Sequence, residues 1–174
     1  MNHTEYVDAL KHSMENSINN ENYFEAITIE FALLEDRVSS LLLKLDLEDS
    51  DKLYIKSSLL AEFMNSNEQD EYSEIRNLLI RRLADSSQGL PIIKKTNHYK
   101  SHVDYRKCYD LLSVFRVRRN ALVHRMGHYT KGMSFEEILI EAKEIAILGR
   151  ELVHKFSNLN NKVKKRIDKV EELE

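Results

Sequence analysis

The stretch FEAITIEFALLEDRVSSLLLKL, residues 24–45, decides the class of fold. Phe24, Ile27, Phe31, Leu34, Val38, Leu41, Leu42 and Leu45 recur mostly at steps of three and four, which places them on one face of a helix. Ile29, Ala32, Leu33 and Leu43 add apolar surface on the rest of the same helix. A helix from Asn22 to about Leu47 is therefore expected to be covered from two sides, and a second copy of the chain is one source of the second cover.

The composition outside this stretch agrees with it. The chain has 174 residues, 42% of them apolar, with no Trp, four Gly and one Pro. That is one domain's worth of sequence, too poor in turn residues for a many-stranded sandwich, barrel or doubly wound sheet and too apolar for a disordered chain. The expected fold is all-α, a single helical bundle over residues 1–174 with its core at about 20–156 and a charged tail at about 160–174. The spacing predicts further helices over 4–18, 52–64, 71–84, 98–126 and 135–158. Asp49, Ser50 and Asp51 offer an N-cap for the third helix, and Ser134 with Glu137 forms a capping-box signature for the last. Ser86 to Pro91 reads as an inter-helix loop.

The lone Cys108 excludes an intrachain disulfide framework and is the usage of a reducing compartment. Glu5 and Asp8 stand where a signal peptide would be basic, and no run of apolar residues is long enough for a membrane span, so the expected location is cytoplasmic with no membrane partner. Charge is divided unevenly. Residues 1–90 carry a net −10 and residues 91–132 a net +8, within a total of −3. The basic segment is either an anion footprint or the partner of the chain's own acidic half.

That segment contains Leu111-Leu112-Ser113-Val114-Phe115-Arg116-Val117-Arg118-Arg119-Asn120-Ala121-Leu122-Val123-His124. On a helix, Leu112, Phe115, Leu122 and Val123 form an apolar face with Arg119 among them. A guanidinium on a core face needs a partner. Glu35, which interrupts the apolar stripe of the 22–47 helix, is the expected one. Across the same helix run Tyr109, Ser113, Arg116, Asn120 and His124. Asn120 can reach and orient His124, and Arg116 and Arg119 supply positive charge, a set suited to a phosphodiester. The plainer alternative is a solvated helix end beside a structural Arg–Glu bridge.

Arg119-Asn120-Ala121-Leu122-Val123-His124 resembles the R-x4-6-H signature of HEPN domains in its common form with Asn after Arg. Helix order, length and composition extend the resemblance over roughly residues 20–156. It implies an up-and-down helical bundle, a two-fold homodimer with both signature helices at the interface, and a shared basic cleft. It further implies a metal-independent endoribonuclease of the toxin–antitoxin or phage-defence type, with RNA as substrate, a cognate antitoxin as a possible partner and no cofactor. In that scheme Arg119 stabilises the phosphate, Asn120 orients and His124 transfers the proton as a ribose 2′-hydroxyl attacks phosphorus, while Glu35 and Arg116 support them. The alternative within the same resemblance is a non-catalytic module that binds nucleotide or RNA or acts as a dimeric scaffold. Two residues after His124 this chain has Met126, where members paired with a nucleotidyltransferase antitoxin often carry Tyr.

Other patterns compete less well. His98 with His102, and His124 with His128, have i, i+4 spacing, yet neither encloses a metalloprotease Glu and Cys108 falls out of register, so no metal is expected. Tyr99, Tyr105 and Tyr109 interleave with Lys100, Arg106 and Lys107, and Lys162, Lys164, Lys165, Arg166 and Lys169 make the tail basic. The tyrosine pattern reads equally as ordinary amphipathic packing or as base stacking, whereas Asp168, Glu171, Glu172 and Glu174 temper the tail, which reads as a solvated helix end before an RNA contact.

Overall fold

The structure, a computed structural model, describes residues 2–66, 70–84, 108–127 and 134–171. Among the described residues there are six helices and no strand: α1 (His3–Asn19), α2 (Tyr23–Lys44), α3 (Leu53–Asn65), α4 (Ser73–Ala84), α5 (Cys108–Gly127) and α6 (Phe135–Glu171). The all-α class read from the sequence is thus observed.

The helix ends show why so few glycines suffice. Asn2 and Glu5 form a reciprocal capping box at the start of α1, both bonds 2.9 Å. Two of the helices stop in Schellman turns whose left-handed residue is not Gly. Glu21 (φ 61°) ends α1, with Asn22 N–H bonded to the Ser17 carbonyl at 2.7 Å, and Asp46 (φ 53°) ends α2, with Leu47 N–H bonded to the Leu42 carbonyl at 3.0 Å. The expected cap of α3 is not formed by Asp51. The N-cap is Lys52, without a side-chain bond, because Asp49 is occupied by Ser39, the Ser50 amide and Lys56. Ser134 and Glu137 do make the expected box at the start of α6, at 3.2 and 2.8 Å.

The centre of the bundle is α2 against α6, flanked by α1 on one side, while α3 joins α2 to α5 and α5 returns onto α6. Leu33, Leu34, Leu41 and Leu42 of α2 are all fully buried within the one chain. Leu33 belongs to the face assigned to a second cover, so the chain itself supplies much of that cover, leaving Ala32 and Leu43 exposed. The core also runs past the expected 20–156 limits. Val7 and Met14 of α1 are inside it, and α6 continues through the supposed tail with Leu159 and Val163 buried. No helix of the described residues is long and apolar enough to cross a membrane.

Candidate functional site

Helix α5 divides its four arginines between two sides. Leu111, Phe115 and Leu122 are buried, and Arg118 lies buried in the same stripe at steps of four, three and four. Its guanidinium donates to Glu144 of α6 at 2.8 Å and approaches Glu141 at 3.9 Å. Arg125, on the same side, donates to Glu141 at 2.6 Å. Acidic residues of α6, and not the acidic 1–90 half named in the self-packing alternative, therefore neutralise these two arginines.

The core arginine is thus Arg118, and the sequence reading that gave this place to Arg119 is corrected. The signal was available: Leu111, Phe115, Arg118 and Leu122 span a narrower arc at 100° per residue than the set containing Arg119 and Val123. Val123 is exposed.

Arg116 and Arg119 face α3 and α2. The Arg119 guanidinium lies 4.5 Å from the Phe31 ring centroid and donates to Asn120 Oδ1 at 3.1 Å. Arg116 lies 5.2 Å from the Tyr54 ring centroid, with its Nε buried and without an acceptor. No carboxylate among the described residues forms an ion pair with either. Such cation–ring contacts position a guanidinium without cancelling its charge.

The expected Arg119–Glu35 ion pair is not formed. Glu35 still feels Arg119: burial raises its carboxyl above the ordinary range, and the charges of Lys56 and Arg119 oppose that rise. Lys56, itself buried, is committed to Asp49 at 3.4 Å. The two residues are electrostatic neighbours rather than bonded partners.

Asn120 is half-buried and His124 exposed. Asn120 uses its oxygen on Arg119, and no hydrogen bond joins it to His124 among the described residues. Among the described residues neither guanidinium has an ion-pair partner; Asn120 stands one turn and His124 two turns along from Arg116, with Arg119 next to Asn120. The arrangement can hold an anion and present a proton carrier at its end. Beside His124, Val123 and Met126 are exposed, as are Phe135 and Ile140 at the start of α6, and the Arg125–Glu141 bond ties these two helix ends together.

Among the described residues no group of three or more His, Cys, Asp or Glu is placed to hold a metal ion. His98, Tyr99, His102, Tyr105 and His128, with the side chains of Cys108 and Tyr109, lie outside the described residues. In the tail, Arg166 pairs with Glu74 at 2.7 Å. No family model, no curated protein and no solved structure matches this chain.

Proposed function

We propose that the chain is a metal-independent endoribonuclease that acts as a two-fold dimer through Arg119, Asn120 and His124, with Arg116 and Glu35 in support. The observation that carries this reading is the division of α5: two arginines are neutralised by α6, while the other two, on the side of Asn120 and His124, have no ion-pair partner among the described residues. RNA is a polyanion, and forked guanidinium donors suit its non-bridging phosphate oxygens.

In this scheme Arg119, held by Phe31 and Asn120, takes the phosphate and stabilises the charge that develops as the 2′-hydroxyl oxygen bonds to phosphorus and the 5′-oxygen leaves. His124 accepts the 2′-hydroxyl proton, and its counterpart in the second copy supplies a proton to the departing oxygen. The exposed Val123, Met126, Phe135 and Ile140 beside His124 are the apolar surface that brings the copies together. A role in toxin–antitoxin or phage defence, an antitoxin partner and a cytoplasmic setting belong to the same proposal through the resemblance of Arg119–His124 to the HEPN signature.

The test is cleavage of total cellular RNA in EDTA by the wild type and by His124→Ala, with product ends assayed for 2′,3′-cyclic phosphate. Cleavage lost in the variant and indifferent to chelator supports the mechanism. Equal cleavage by both proteins, or activity abolished by EDTA, overturns it.

A further inference from the structure

We infer that Tyr54 and Arg116 form a nucleobase subsite next to the phosphate position of Arg119, so that this site takes single-stranded RNA with an unpaired base stacked on α3. The inference rests on the ribonuclease reading above and adds to it the form of the substrate and a residue outside the signature helix.

Three observations meet at Tyr54. Tyr54 is 43% exposed, on the first turn of α3, and lies outside the core. One face of the ring is occupied by the Arg116 guanidinium at 5.2 Å. Beside the ring the Arg116 Nε is buried and has no acceptor among the described residues, so the guanidinium keeps an unused donor at this place. A cation fixed on one side of an exposed aromatic ring leaves a flat, polarised surface that suits the π-face of any base, and it carries a charge for the adjoining phosphate.

Placement along α5 completes the argument. At about 1.5 Å per residue, Arg116 stands ~6 Å from Asn120 and ~12 Å from His124 along the helix axis. Arg119 lies between them, held on Phe31. A strand that puts its reacting phosphate between Arg119 and His124 therefore continues past Arg116, where a base turned inward meets Tyr54. A base inside a duplex is stacked on its neighbours and has no face to offer, so the subsite selects unpaired nucleotides.

The experiment measures fluorescence anisotropy of the full chain with two labelled deoxy decamers, oligothymidylate and an abasic oligomer of equal charge. Neither has a 2′-hydroxyl, so neither is cleaved by the proposed route. Wild type should bind the thymidylate on the order of ten-fold more tightly. Tyr54→Leu should erase that preference, and Tyr54→Phe, which keeps the ring, should retain it. Equal binding of the two oligomers by wild type, or a preference that survives in Tyr54→Leu, overturns the base subsite and leaves the ribonuclease reading standing on backbone affinity. Binding of neither oligomer at low salt likewise overturns the base subsite, and the ribonuclease reading is then decided by the cleavage assay above.

Discussion

Gly149 of α6 and Glu30 of α2 occupy one space: a Cβ at residue 149 would stand 2.1 Å from a Glu30 carboxyl oxygen and 2.6 Å from the Phe115 ring. The missing side chain is what admits a carboxyl group to the junction of α2, α5 and α6. Glu30 is fully buried there, and among the described residues neither of its oxygens has a side-chain hydrogen-bond partner. Gly149→Ala should therefore destabilise the chain by about 1–3 kcal/mol through overpacking. An exposed helical Gly→Ala change would instead gain up to ~1 kcal/mol. The sign of the change in urea unfolding decides whether the contact is as tight as described.

Burial drives the Glu30 carboxyl well above its ordinary value near 4.5; Arg150 opposes the shift and Glu15 adds to it. The folded chain then binds a proton that the unfolded chain has released, so stability falls as pH rises above about 4.5, by at most ~1.4 kcal/mol per pH unit. The contribution is complete below that pH and is lost as pH passes through the folded value. Asp70 has the opposite sign, since the hydrogen bond from Arg76 holds it below its usual range and its contribution disappears only in acid. Glu30→Gln should flatten the loss of stability above about pH 4.5. Parallel stability profiles for wild type and variant would show that Glu30 does not titrate on unfolding.

Arg118 and Arg119 are adjacent, and their substitutions should part company. Arg118→Ala removes a buried charge-assisted bond to Glu144 and should cost about 1.5–3 kcal/mol in thermal or urea unfolding. Arg119→Ala loses a ring contact worth ~0.5–1 kcal/mol and strands no bonded carboxylate, yet should abolish RNA cleavage. A variant of Arg119 that unfolds as readily as the Arg118 variant would contradict this division of roles.

Dimerisation is expected through the apolar end formed by α5 and α6. Phe135 is 70% exposed and Ile140 is exposed at the start of α6, which the Arg125–Glu141 bond ties to the end of α5 where Val123 and Met126 are exposed beside His124. Sedimentation at tens of micromolar should give a dimer for wild type and a monomer for Met126→Glu. Unchanged association in the variant would move the interface elsewhere, with exposed Leu43 of α2 as the next surface to test.

The Schellman turns offer a stabilising change. Glu21 adopts φ 61° and its side chain is exposed. Glu21→Gly relieves a left-handed backbone penalty of roughly 1 kcal/mol, less the added entropy of the unfolded glycine. The expected net gain is a few tenths of a kcal/mol or more, read as a higher urea midpoint. A lower midpoint would mean that the Glu21 side chain makes a contribution larger than its strain.

The helical class, the extent of α2 and the capping box of α6 were legible in the sequence because each depends on near neighbours: the period of Phe31, Leu34, Val38 and Leu42, and the three-residue reach between Ser134 and Glu137. The path of the tail was less so, since charged residues on the outer face of α6 hide the buried Leu159 and Val163 between them. What the tertiary structure alone decided is how charges pair. The sequence reading placed Arg119 in the core, and α6, which presents Glu141 and Glu144, shows that the buried arginine is Arg118. Glu30 reads on paper as one more solvated acid of α2. It is buried because Gly149, more than a hundred residues away, leaves room for it, and the balance of desolvation against pairing depends on distances that only the packed helices define.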